Sequence, residues 1–181
     1  MKNMKFLLIC GLLSLSCACR TQPEPNEEIA TVVQTIEVKS KPTIKHPLGI
    51  IGAVEPIYII PMKAPFQARI DTGAETSSLD VDEYHYFERD GVKWVSFKIT
   101  NTTNNEVQTF EKRVQRRVSI RRIKSNEKRP IVDLEVKFGG KIIKAEFSLA
   151  KREKFEYQVL IGRNILTGRA VVDTALSNTL R

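Results

Sequence analysis

The chain has 181 residues, 41% of them hydrophobic, with 29 Lys plus Arg against 21 Asp plus Glu, a formal charge of +8, two His and three Cys. These counts bound it to one folded domain, alone or with a tail, and exclude a wholly disordered chain. They also exclude a His/Cys zinc cluster and disulfide stapling in the body of the chain: Cys10, Cys17 and Cys19 all lie near the N-terminus, and the only His are His46 and His85.

The N-terminus reads as an address. Residues 1–5 are basic through Lys2 and Lys5, residues 6–15 are mostly Leu and Ile, and Ser16-Cys17-Ala18-Cys19 follows. That is the charged, apolar and small-residue order of a signal peptide over 1–18. The apolar run is shorter than the roughly 20 residues needed to span a bilayer. A Cys directly after a small residue resembles a bacterial lipobox, whose Cys is lipidated and becomes the mature N-terminus. Cys19 after Ala18 fits best, and Cys17 after Ser16 is the second choice. Residues 19–47 carry Pro23, Pro25, Pro42 and Pro47 with Glu24, Glu27 and Glu28, the composition of a flexible tether. The expected product is exported to the bacterial cell envelope, lipid-anchored to a membrane and facing the periplasm, with residues 48–181 as its folded unit.

Runs rich in β-branched and aromatic residues predict strands over 50–61, 66–70, 92–100, 107–124, 131–138, 141–149 and 157–161. Alternation of apolar and polar residues is clear in 131–138 and 143–149, and Gly139-Gly140 between them predicts a tight hairpin. One short helix is expected near 163–167. The domain therefore reads as all-β, a small barrel or sandwich.

Asp71-Thr72-Gly73-Ala74 closes the 66–70 run. A carboxylate followed by a hydroxyl residue and a Gly suits a catalytic loop: the Gly lets the backbone turn and approach its partner, and the Thr can hydrogen-bond to a second copy of the loop. Asp-Thr-Gly alone is also a common turn after a strand. Further on stands Val159-Leu160-Ile161-Gly162-Arg163-Asn164-Ile165-Leu166, a buried strand ending in Gly and then a short amphipathic helix.

These two elements, with Ala68-Arg69-Ile70 before the loop, Thr76-Ser77-Ser78-Leu79 after it, and Ile123-Lys124-Ser125-Asn126 with Arg129-Pro130, resemble the retropepsin-like aspartic proteases. The nearest likeness is to the bacterial and archaeal family once labelled putative ATP-dependent zinc proteases and associated with ATP-grasp ligases of the ribosomal-protein S6 modification type. The resemblance runs over residues 49–173. It implies a retropepsin-like closed β-barrel with a flap hairpin and one short C-terminal helix. Asp71 would be the catalytic aspartate, Thr72 and Gly73 the interlocked loop that supports it, and Ala74 a cleft residue. With one such aspartate per chain, the enzyme would be a homodimer in which two Asp71 carboxylates face each other.

Neither a metal nor a nucleotide cofactor is expected. A zinc protease of the His-Glu-x-x-His type needs two His four apart on a helix, and His46 and His85 offer no such motif. Gly139-Gly140-Lys141 is a hairpin turn rather than a phosphate loop. His85 reads as a surface or partly buried strand residue. Asp173, in Val172-Asp173-Thr174-Ala175, reads as a turn at the terminal strand, since Ala175 stands where a second Asp-Thr-Gly loop needs Gly.

Retroviral proteases have an acid after the catalytic loop that pairs with the Arg of their Gly-Arg-Asn turn. By that resemblance Glu75 pairs with Arg163, and Gly162 and Asn164 complete the support. Nine basic residues and two acidic ones fall in 111–129, and beyond these and the two N-terminal lysines the chain is nearly neutral. Val118 and Ile120 alternate with Arg117, Ser119 and Arg121, the pattern of a strand. The resemblance makes this segment and the Ser125-Asn126-Glu127 turn a flap over the cleft. Its substrate-binding candidates are Arg117, Arg121, Arg122, Ser125 and Asn126, and the arginines would favour acidic substrate segments. A solvated basic ribbon is the plainer alternative. No aromatic residues interleave the cluster, so nucleic acid is not an expected partner.

The reading is an envelope-tethered, homodimeric aspartic endopeptidase acting on peptide or protein substrates. Its alternative is a non-catalytic module of the same fold that binds peptide or an anionic envelope polymer through the cleft and basic hairpin.

Overall fold

The computed structural model describes residues 45–121, 126–151 and 156–180. The expected signal peptide, Cys17, Cys19 and nearly all of the tether lie outside these residues. So do Arg122 and Ser125 of the expected flap, while Arg121 and Asn126 are described by their backbone alone.

The regular structure of the described chain is nearly all strand, with one short helix. In order come β1 (Gly49–Ile51), β2 (Val54–Ile59), β3 (Phe66–Ile70), β4 (Ser77–Asp80), β5 (Glu83–Arg89), β6 (Val92–Thr100), β7 (Val107–Arg113), β8 (Arg116–Arg121), β9 (Asn126–Phe138), β10 (Lys141–Ala150), β11 (Val159–Ile161), the single turn α1 (Arg163–Leu166) and β12 (Ala170–Val172). Strands β10, β4, β11, β3, β2 and β9 neighbour one another in that order, and pairing of β9 with β10 closes the ring into a barrel. Closure removes the free edges that an open sheet would leave. β8 hangs from β9 outside the ring.

Period-two alternation fills the barrel. β2 and β3 bury every second residue, so Ile57, Ile59, Phe66 and Ala68 meet Val132, Leu134, Val136 and Phe147 inside. The antiparallel meander β5-β6-β7 adds its inner face, Val95, Phe97, Ile99 and Phe110, to the same core, with the Phe97 and Phe110 rings stacked at 5.3 Å. At Gly139-Gly140 both residues have positive φ, 54° and 73°, as a two-residue hairpin requires, and Phe138 pairs with Lys141 across it.

Two expected strands are each two elements. The 50–61 run breaks at Gly52-Ala53, where a Cβ on Gly52 would stand 2.4 Å from the Leu176 carbonyl oxygen of the C-terminal tail. The 107–124 run breaks at Val114-Gln115 because β7 belongs to the meander and β8 to the barrel sheet. β4 is absent from the predicted runs, and β5 is foreshadowed only by reading His85 as a strand residue. Ser77-Ser78-Leu79-Asp80 carries one apolar residue, and five of the seven positions of β5 are exposed or charged. β12 pairs in parallel with β1 as a separate two-stranded ribbon.

The topology positions the functional loop. β11 runs parallel to β3, with Val159 opposite Ala68 and Ile161 opposite Ile70, so residues 71 and 162 leave the barrel side by side. The C-terminal tail is fastened beside them by Glu55, fully buried, which accepts hydrogen bonds from the N–H groups of Gly52, Thr179 and Leu180 and from the Thr179 hydroxyl. Burial acts to raise the Glu55 carboxyl, but these donors, led by the Leu180 N–H, outweigh it and hold the group below its ordinary value.

Candidate active site

Asp71 leaves β3 with its N–H donated to the Ile161 carbonyl at 2.9 Å. Its side chain folds back over the loop: Oδ1 accepts from the Gly73 N–H at 2.9 Å and the Ala74 N–H at 3.2 Å. Those two donors fix one carboxylate oxygen. The other has no hydrogen-bond partner among the described residues. Asp71 is half-buried while Thr72 and Gly73 are exposed, so the loop presents its tip outward.

The turn after β11 holds this loop by its carbonyls. Arg163 Nη1 donates to the Thr72 oxygen at 3.0 Å and the Gly73 oxygen at 2.8 Å. The N–H of Arg163 donates to Ala74 O at 2.9 Å and that of Asn164 to Glu75 O at 3.1 Å. Four consecutive carbonyls are thus tied to two consecutive residues. Asn164 reaches further: its Oδ1 accepts from Ser77 N at 2.9 Å and Ser77 Oγ at 2.8 Å, and its Nδ2 donates to Glu146 O at 2.8 Å. Ser77 Oγ in turn accepts from the Gly162 N–H at 3.0 Å. Gly162 must be glycine, because a Cβ there would stand 2.9 Å from the Thr76 carbonyl carbon and 3.0 Å from Ala74 O.

The structure therefore brings Asp71, Thr72, Gly73, Ala74, Gly162, Arg163 and Asn164 together, and differs over Glu75. Glu75 and Arg163 form no ion pair: the guanidinium is turned onto the loop carbonyls, and Glu75 is exposed at the cleft. A planar fork of donors serves two adjacent carbonyls as well as it serves a carboxylate. Ser77 is the residue whose role the sequence concealed; its only signal was its place in the Thr76-Ser77-Ser78-Leu79 run.

A cleft of about 470 Å³ opens on Asp71, walled by Ala74, Thr76, Val118, Arg129 and Ser148. On β8 it is Arg116 and Val118 that face the cleft. Arg117 therefore faces the other way, and its guanidinium lies 4.4 Å from the centre of the Tyr86 ring on β5. Burial pushes the Tyr86 phenol above its ordinary value, opposed by the Arg117 charge. Expecting Arg117 in the substrate site is corrected by this: alternation shows which residues share a face, not which face meets the cleft. The side chains of Arg121 and Asn126, and all of Arg122 and Ser125, lie outside the described residues.

Arg116, unassigned from sequence, pairs with Glu146 at 2.7 Å, and Arg129 pairs with Glu127 at 2.7 Å. His85 is exposed on β5 beside Glu83 at 3.4 Å and is not among the residues that line the cleft. Among the described residues no group of three or more His, Cys, Asp or Glu is placed to hold a metal ion. Asp173 Oδ1 accepts from the Ala175 N–H at 2.9 Å, an Asx turn after β12.

A closed all-β barrel whose Asp-Thr-Gly loop is tied to a Gly-Arg-Asn turn defines the retropepsin-like class. Residues 50–180 match the model of the RimB-like family, described as retropepsin-like aspartic endopeptidase RimB, and the chain belongs to that family. The crystal structure of Lpg0085 of Legionella pneumophila, a protein of unknown function, is 30% identical with a TM-score of 0.63, covering 74% of this chain and 98% of that one. Simian foamy virus protease is 14% identical with a TM-score of 0.36. Two curated relatives are a probable alpha-L-glutamate ligase of Shewanella pealeana, 32% identical over 71% of this chain, and one of Desulfotalea psychrophila, 33% identical over 63%. The match spans 29% and 25% of those relatives' own length.

Proposed function

We propose that the protein is an envelope-tethered aspartic endopeptidase that works as a homodimer. The observation that carries this is the Asp71 carboxylate, which lines a cleft of about 470 Å³ and has one oxygen pinned by two backbone N–H groups.

One chain supplies one such carboxylate, and the chemistry needs two. Two carboxylates about 3 Å apart do not both ionise cheaply, so they share a proton and titrate as a pair. The ionised member takes a proton from a water lying between them, and that water attacks the peptide carbonyl. The protonated member stabilises the developing oxyanion and then protonates the leaving amine. Two features support a second copy at this end of the molecule. The loop tip at Thr72 and Gly73 is exposed, and the nearby β1-β12 ribbon shows solvent Ile50 and Val171, register partners exposed at 61% and 47%. Ala53, just after β1, accepts from the N–H of Ile70, which joins the ribbon to the root of the Asp71 loop. The tether and its lipid anchor rest on the N-terminal sequence.

Incubating the purified protein with a peptide library from mildly acidic to neutral pH tests the reading. Glutamate-rich peptides belong in that library because curated relatives are named glutamate ligases. Cleavage lost on Asp71→Asn and indifferent to EDTA is the expected result. Cleavage that survives Asp71→Asn, or that EDTA abolishes, contradicts it. Peptide binding without cleavage would identify a binding module of the same fold instead.

A further inference from the structure

We propose that Arg129 anchors the main chain of the substrate in the Asp71 cleft. The inference rests on the peptide-cleaving reading and gives a role to a residue that carried part of the resemblance without one. In the β8-β9 register Val118 stands opposite Arg129, and both face the cleft with Arg116. Arg129 is only 4% exposed. A guanidinium carries five N–H donors and stays charged. Nη2 donates to Glu127 Oε2 at 2.7 Å, but the buried Nε–H has no acceptor among the described residues. Native proteins rarely leave a buried donor unsatisfied, and one on the wall of a cleft is completed by what fills the cleft.

The charge balance selects the kind of acceptor. Among the described residues Glu127 pairs with Arg129 and Glu146 with Arg116, and Asp71 and Glu75 line the same space. Arg129 therefore offers a directional donor rather than a surplus cation. An extended peptide lying along the β8-β9 face presents backbone carbonyls at a two-residue period, independent of its side chains. A carbonyl of that backbone is the acceptor that Arg129 takes, so the residue positions the chain and does not read its charge.

Arg129→Lys keeps a cation for Glu127 and removes the Nε–H donor. On a neutral peptide and on its acidic counterpart, the variant should lose about tenfold in kcat/KM, carried by KM, equally for both. Its melting temperature should stay close to that of the parent. A lower melting temperature with unchanged KM would make the role structural, and a loss confined to the acidic peptide would make Arg129 a charge selector; either overturns the proposal. Glu127→Gln unbalances the guanidinium and should shift preference toward the acidic peptide by about tenfold, and an unchanged preference removes the charge argument. Peptide dissociation constants measured in the Asp71→Asn background separate this proposal from the one beneath it. A tenfold weakening there by Arg129→Lys sustains the anchor even if the parent cuts nothing, which would defeat only the endopeptidase reading. Peptide bound equally with and without the substitution defeats only the anchor, and no binding by either protein defeats both.

Discussion

The Asp71 loop and the β8-β9 hairpin face each other across one cleft and are held by different forces. The loop is tied through backbone: its carbonyls from Thr72 to Glu75 are taken by Arg163 and Asn164, and a Cβ-free Gly162 lets the two turns touch. The hairpin root is tied through charged side chains, Arg116 to Glu146 on one face and Arg117 over Tyr86 on the other. Backbone carbonyls keep their dipoles at every pH and salt concentration, whereas partly exposed ion pairs are screened and individually weak. On the proposed reading the Asp71 loop must hold one geometry while the opposite wall admits substrate, and the two kinds of tie suit those tasks.

The sharpest way to break the contrast is to remove the carboxylate. Asp71→Asn leaves the loop's hydrogen-bonded frame intact and should lower kcat on a cleaved peptide by about 10³-fold, the scale of lost general acid–base catalysis. Next is Asn164→Ala, which strips the one acceptor shared by the Ser77 N–H and hydroxyl and a donor from the Glu146 carbonyl. The cost should be about 3 kcal/mol, read as a lower denaturant midpoint, with activity falling in parallel.

Acid tests the same end of the molecule through Glu55. Its carboxyl is held below the ordinary value in the folded state, so its contribution is complete above the unfolded value and is lost as pH falls through the folded one. Stability should therefore decline on acidification below the usual glutamate range. Glu55→Gln should flatten that decline and cost about 2 kcal/mol at neutral pH, measured by urea unfolding at several pH values. The smallest effect is expected on the other wall. Arg117→Ala removes an exposed cation–π contact worth about 0.5–1 kcal/mol, and melting temperature should barely move.

Much of the Asp71 side of the cleft was legible in the residues themselves. Asp71-Thr72-Gly73-Ala74 and Gly162-Arg163-Asn164 are local patterns whose meaning depends on backbone geometry, and the parallel β3-β11 pair brings them together. The partners were harder. Whether Arg163 meets Glu75 or the loop carbonyls is decided by where a flexible side chain lies, which spacing along a chain does not encode. The same holds for β8, where alternation left open which face meets the cleft. β4 was hidden because its polar residues satisfy the sheet by backbone pairing with little apolar signal, and the extent of β5 because its charged residues interrupt the aromatic ones.

Mixing parent and Asp71→Asn subunits at constant total concentration tests the central claim, that one active site draws an aspartate from each of two chains. If mixed dimers are dead, peptide cleavage falls as the square of the parent fraction. A linear fall, with each parent chain keeping its full activity, would mean that a single Asp71 suffices and would contradict the shared site.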